Sequence, residues 1–270
     1  DDTFFSKAAT EIPLWYKEIG NYSLLPPPIN RNPKLNPFIN KLEKYCPINY
    51  DISINIDINK LIPNLNNTKS RWIYYWASKT RNYMDIEYSY AADAYNDFSN
   101  SGLTQTNKKG IAKLKVRNPV LYHVENQGYP PHIHFTYLDN NNTWSDTSFA
   151  IVITPEIDYN VFDKLRQSGK YIVINASNNY NSLSIPNTYH IPSNINSNID
   201  ANIRKITIDN YTKLKKLLRR TLNLQELPII VYSNNKESNA SDELVKKLRK
   251  AGYINLIIYR NGSKEWNKFN

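Results

Sequence analysis

Between Tyr50 and Asn59 apolar and polar residues alternate strictly, with Ile52, Ile54, Ile56 and Ile58 at every second position. Successive side chains of a strand point to opposite faces, so this spacing predicts a strand with one face buried. Further runs rich in aromatic and β-branched residues predict strands over 72–77, 86–95, 111–116, 132–137 and 148–153. Turn signals separate them, among them Asn100-Ser-Gly102 and Thr106-Asn-Lys-Lys-Gly110. Short strands without intervening helices predict an all-β antiparallel sandwich over 49–157.

From Asp158 the period changes. Helical spacing over 161–167, 211–224 and 241–251 alternates with continuous apolar runs over 171–175, 228–232 and 254–259. Such runs are strands buried on both faces, and helices between them predict a parallel α/β sheet over 158–270. Leu214, Leu217 and Leu218 form the apolar stripe of the middle helix. Residues 1–48 show little periodicity. Pro26-Pro-Pro28, Pro33 and Pro37 predict an extended arm with a short helix over 38–45. Leaving Leu14, Trp15 and Tyr16 in water is costly, so the arm is expected to pack on a domain or a partner protein.

A length of 270 residues suits two cores, and 40% hydrophobic with 21% charged residues is a globular composition. Tyr, Asn, Ile and Lys are abundant, which suits AT-rich codons and lowers the weight of the many Asn-x-Ser/Thr sequons. No apolar run reaches the roughly 18 residues of a membrane-spanning helix. The one cysteine, Cys46, excludes an internal disulfide and leaves the redox compartment open. A start at Asp1 suggests a processed or truncated N-terminus, for which an exported, virion-associated or organellar setting are all options. The net charge of +10 favours anionic or acidic partners. Much of it lies in Lys213-Leu-Lys-Lys-Leu-Leu-Arg-Arg220 and Lys246-Lys-Leu-Arg-Lys250, whose basic residues occupy the solvated faces of helices. Without an RNP-like strand, a Cys/His finger or a Gly-rich phosphate loop, nucleic acid ranks below the proteins of an assembly as a partner.

The stretch with the most chemistry is Tyr129-Pro-Pro-His-Ile-His-Phe135. Histidines at i, i+2 in a strand share a face, so His132 and His134 can reach one metal ion, and Pro130-Pro131 forces the strand to begin there. Imidazole suits several transition metals, and the plainer reading is two polar residues on an exposed sheet face.

Residues 50–155 resemble the sandwich domain of intradiol ring-cleaving dioxygenases. The resemblance is carried by Tyr129 to Phe135 against that family's Arg-Pro-x-His-Ile-His-Phe, and by Asn118-Pro-Val-Leu-Tyr122 against its Pro-x-x-Tyr. The opening alternating strand, Arg71-Trp-Ile-Tyr-Tyr-Trp76 and the turn Thr106 to Gly110 add to it. The resemblance implies Fe(III) held by two histidines and two tyrosinates. Carried over, these are His132, His134, Tyr122 and a first tyrosine, with Tyr83 ahead of Tyr88 and Tyr90. His123, beside Tyr122, falls on the opposite strand face. Tyr129 stands where the family has an arginine, so a fixed cation beside the ion is lost, a loss that bears harder on ring cleavage than on metal binding.

Residues 158–270 resemble a rhodanese-like domain, a sulfur-transfer fold. Tyr171 to Ser177, Asn187-Thr-Tyr-His-Ile-Pro192, Pro228-Ile-Ile-Val-Tyr-Ser233, Leu244 to Gly252 and Arg260 to Trp266 match its successive segments. The resemblance makes His190 a structural loop residue and puts Ser233 at the position of the sulfur-carrying cysteine. A serine hydroxyl cannot form a persulfide, so sulfur transfer is not expected. Two readings stand open. One is a non-catalytic binding or structural component of a larger assembly, built from two degenerate enzyme folds and retaining a metal site. The other is a non-haem Fe(III) intradiol dioxygenase acting on a catechol-type substrate, with an inactive rhodanese module.

Overall fold

A computed structural model of the chain describes residues 33–38, 40–83, 89–95, 97–124, 127–145, 148–179, 184–195, 199–218 and 223–270. The predicted contacts of Leu14, Trp15 and Tyr16, and the candidate Tyr88, lie outside these residues. The chain divides into two compact units, residues 1–81 with 87–153, and residues 82–86 with 154–270.

In the first unit, strand β1 (Ile52–Asp57) pairs antiparallel with β5 (Ile111–Val116), Ile52 opposite Val116 and Asp57 opposite Ile111. The fourth isoleucine of the alternating run leaves the strand. Asp57 accepts a hydrogen bond from the Asn59 N–H at 3.1 Å and caps helix α1 (Ile58–Leu61), which ends the alternation one residue early. A second antiparallel sheet has the order β4 (Ser101–Gln105), β2 (Trp72–Ala77), β8 (His132–Tyr137), β9 (Phe149–Val152). Alternation divides its side chains. Ile73, Tyr75, Ala77, Ile133, Phe135 and Ile151 pack against Ile52, Ile56, Leu114 and Val116 of the first sheet. Tyr74 and Trp76 turn the other way, into a second core with Tyr95, Tyr122 and Tyr129. That side carries helix α2 (Ala91–Ala94) and a small mixed sheet of β3 (Ser89–Tyr90), β6 (Tyr122–Val124) and β7 (Gln127–Tyr129).

Three local expectations change. The described residues of the helix predicted over 38–45 form no helix; a 3-10 turn occupies Pro33–Leu35, and Tyr45 exchanges both backbone hydrogen bonds with Leu103 at 3.0 Å. Among the described residues the expected strand over 86–95 is strand only at Ser89–Tyr90, because three of the four residues Ala91-Ala-Asp-Ala94 are alanine, the best helix former. Of Asn100-Ser-Gly102, Ser101 and Gly102 open β4 instead of forming a turn, and Gly102 is needed there because a Cβ would strike the Tyr75 hydroxyl.

The second unit is a five-stranded parallel sheet in the order β10 (Glu156–Ile157), β14 (Leu256–Tyr259), β13 (Ile229–Tyr232), β11 (Ile172–Asn175), β12 (Tyr189–His190). Helices α3 (Tyr159–Ser168), α4 (Ile199–Leu218), α5 (Ala240–Lys250) and α6 (Gly262–Phe269) connect or follow its strands. Asp158 caps α3 through the Val161 N–H at 2.9 Å, and Gly169, at φ 66°, ends it. Helix α4 begins well before the predicted 211. Its buried positions include Ile203, Thr207 and Leu214, whereas Leu217 is exposed. A threonine in the buried stripe, donating its hydroxyl to the Ile203 carbonyl at 2.9 Å, breaks the apolar pattern by which the first turns are read. Among the described residues no helix is long and apolar enough to cross a membrane.

Candidate metal centre and the loop after β13

Strand β8 begins directly after Pro130-Pro131, and its first residue is His132. Pairing with β2 and β9 buries both histidines, His132 and His134 each at 1% exposure, so the plainer reading of an exposed polar face does not hold. The His132 Nδ1 lies 2.6 Å from the Pro130 carbonyl oxygen. A carbonyl only accepts, so Nδ1 carries the proton and Nε2 of the neutral ring presents its lone pair. Burial keeps that ring neutral: it lowers the His132 pKa to about 4, partly offset by the Pro130 hydrogen bond. Burial, and next the neighbouring His132, hold His134 well below its usual range too.

Around the His132 Nε2 stand His134 Nε2 at 2.9 Å, the Tyr122 hydroxyl at 3.2 Å and the Tyr95 hydroxyl at 3.3 Å. One lone pair cannot accept well from three donors at once. Donors sharing one ion at about 2 Å stand about 3 Å apart, so these three separations from the His132 Nε2 suit ligands of one small cation. The rings are held from outside. Trp76 stacks on His134 with centroids 5.2 Å apart, and Tyr129 stacks on Tyr122 at 5.5 Å. The Tyr95 and Tyr122 rings meet edge-on at 5.3 Å. Among the described residues no group of three or more His, Cys, Asp or Glu could hold a metal; this cluster reaches four donors only by including phenols.

The structure brings His132, His134 and Tyr122 together but not the predicted first tyrosine. Tyr83 belongs to the second unit and packs on the core of Phe162, Leu165 and Tyr232, its carbonyl accepting from the Tyr171 hydroxyl at 2.8 Å. Tyr90 is 61% exposed. Tyr95 takes the place beside the histidines. Read as one strand, 86–95 puts Tyr95 opposite Tyr88 and Tyr90; the helical turn of α2 redirects it, and only the Ala-rich composition of 91–94 signals that turn. Tyr129, paired with Tyr122 across β6 and β7, is buried over the ring where the resemblance calls for arginine.

In the second unit, β13 delivers Ser233 into the core at 0% exposure. Its hydroxyl donates to the Asn235 carbonyl at 3.4 Å, and its carbonyl accepts from the Ser263 N–H at 3.0 Å. The following Asn234 accepts from the Lys264 N–H at 2.9 Å and, through its side chain, from the Ser177 hydroxyl at 2.8 Å. His190, which the structure places in β12 and not in a loop, donates its Nε2–H to the Ser177 carbonyl at 2.7 Å and ties that strand to the loop after β11. Helix α5 begins at Ala240, after Asn239. Asp242 and Glu243 fill its first turn, where they oppose an incoming anion. Asp242 instead pairs with Arg260, which also holds Glu156.

Residues 159–269 match the family model for the Rhodanese-like domain. The second unit contains a rhodanese-like domain. Its parallel sheet, with β13 central and a loop before α5, agrees with that assignment. The rhodanese-like domain accounts for the chain from α3 to α6, and Ser233 lies at the end of its central strand. A comparison with curated proteins finds no match to the chain.

Proposed function

We propose that the chain is a non-catalytic component of a larger assembly, built on two degenerate enzyme folds, whose first unit retains a ferric site made by His132, His134, Tyr122 and Tyr95. The observation that carries this reading is the oversubscribed His132 Nε2, with a nitrogen and two phenol oxygens 2.9 to 3.3 Å away. Fe(III) is a hard Lewis acid that stabilises phenolate, which suits two tyrosines beside two neutral imidazoles. The chain's own residues do the rest: Pro130 fixes the tautomer of His132, and Trp76 and Tyr129 fix the rings.

The non-catalytic part rests on burial and on substitution. Tyr95, Tyr122, His132 and His134 are all buried, and Tyr129, itself buried, supplies no cation to stabilise developing negative charge. In the rhodanese-like domain Ser233 offers no thiol, and the chain's one cysteine, Cys46, lies in the other unit. A net charge of +10 suits docking against an acidic protein surface.

A second reading is favoured by one observation, the completeness of the quartet. It makes the first unit an intradiol-type dioxygenase for a catechol. Oxygen uptake by iron-loaded protein with catechol separates the two. The non-catalytic reading expects no ring-opened product above free ferric ion, and product formation abolished by His132→Ala establishes the enzyme instead.

A further inference from the structure

The first unit has a cavity of about 940 Å³ that neither proposed role uses. Its walls come from two places. Residues 40–48 form one wall, clipped to β4 by the Tyr45 and Leu103 backbone pair, and Phe98 to Ser101 with Arg117 form the other. The size is that of a site for one small molecule.

The lining is strongly one-sided in charge. Lys34, Lys41, Lys44 and Arg117 face it, against the single carboxylate of Glu43. Asp97 stands outside the lining and offsets part of this charge. Its carboxyl is held below the usual range first by the Ser99 N–H, with Arg117 a weaker cause. Arg117 is the central group. One of its terminal nitrogens donates to the Ser99 hydroxyl at 3.0 Å, which holds the guanidinium in the wall that Ser99 shares, and its Nε is sealed from solvent and meets no acceptor among the described residues. A guanidinium in a wall shared with three lysines is the side chain best suited to a phosphate, which its planar fork recognises.

The rest of the lining is aromatic and apolar. Tyr45, Ile48 and Phe98 supply it, and Phe98 is held at φ 48°, in the left-handed region that an aromatic residue rarely adopts. Lysines at the mouth suit a multiply charged head group, and the rings suit a flat body.

We propose that this cavity binds an aromatic small molecule bearing a phosphate, with the phosphate on Arg117 and the lysines and the ring against Phe98 and Tyr45. The phosphate oxygens accept from the Arg117 guanidinium, and the ammonium groups of Lys41 and Lys44 add attraction that salt weakens. Cys46 lies in the same wall, so an occupant shields the chain's single thiol.

The test uses the full chain and 1-naphthyl phosphate as the probe, with 1-naphthol and inorganic phosphate as its two halves. Calorimetry reads affinity, and the rate of Cys46 alkylation by iodoacetamide reads location. One-site binding is expected that exceeds either half about tenfold, and a saturating probe slows alkylation about fivefold or more. R117Q weakens binding about tenfold, as loss of a charge-assisted hydrogen bond does. The variant carrying both K41Q and K44Q, at exposed positions, weakens binding about threefold or more and flattens its salt dependence, and it decides the matter should R117Q fail to fold. The proposal is overturned by absence of saturable binding at about 10 mM probe, by binding that leaves Cys46 alkylation unchanged, or by unchanged affinity in the lysine variant.

Discussion

His132 donates its Nδ1–H to the carbonyl of Pro130, two residues earlier, at 2.6 Å. The contact joins the break in backbone pairing to the chemistry of the site. The proline pair starts the strand, and a proline carbonyl sets which nitrogen of the first strand residue faces the cluster.

The ligand set separates Tyr95 from Tyr83. In iron-loaded protein Tyr95→Phe and Tyr122→Phe each remove a phenolate, and each should shift or abolish the tyrosinate-to-iron absorption in the visible spectrum. Tyr83→Phe should leave the band in place. The reverse pattern, a band lost with Tyr83 and kept without Tyr95, assigns the first ligand to Tyr83.

Stability of the iron-free protein should fall with acid earlier than the carboxylates alone require. His132 titrates near 4 when folded, against 6.5 for the free side chain, because burial disfavours its charged form. Above pH 6.5 both states are neutral and the group contributes no pH dependence. Between 6.5 and about 4 the unfolded chain takes up a proton that the native state refuses. The slope is at most about 1.4 kcal/mol per pH unit for each such histidine, and His134 adds in the same direction. Denaturant titrations from pH 7 to 4.5 should show this slope flatten when both histidines are replaced by glutamine. An unaltered slope contradicts the assignment.

In the rhodanese-like domain Gly262 has φ 64°, and a Cβ there would strike the Ser233 carbonyl oxygen. Gly262→Ala should cost about 3 kcal/mol from strain and crowding together. Gly252, at φ 93° but with only a side-chain carbon of Gln225 nearby, should cost about 1 kcal/mol on the same change. Thermal melts of the two variants compare them directly, and equal losses would remove the contact with Ser233 as the cause.

Restoring a thiol should not restore sulfur transfer. Ser233→Cys in a Cys46→Ser background places the only thiol at a site with 0% exposure, against a loop fixed by Ser263, Lys264 and Ser177. Slow reaction with disulfide reagents and no turnover of thiosulfate are expected. Rapid cyanide-dependent turnover by this variant argues that the loop is still shaped for catalysis.

Much of this molecule is legible in its apolar pattern. The strands at 72–77, 111–116 and 132–137 follow from aromatic and β-branched content between turns, and the α/β alternation after residue 158 from the change of period, because each strand is packed on a core. The histidine pair was legible for the same reason, since i, i+2 residues of a strand share a face. What hides from the pattern is decided by single polar groups. Asp57 turns the run of isoleucines into a helix cap, Thr207 interrupts the buried stripe of α4, and four residues of α2 swing Tyr95 into the cluster in place of Tyr83. The charged cavity is equally unreadable, because its walls are brought together by the Tyr45 and Leu103 pairing across more than fifty residues of chain.

The most direct test is the iron content and visible spectrum of the purified full chain after loading with ferric ion. One iron per chain is expected, with a red-brown tyrosinate band that is absent from His132→Ala. A colourless protein that takes up no iron, or one whose band survives loss of His132, contradicts the account.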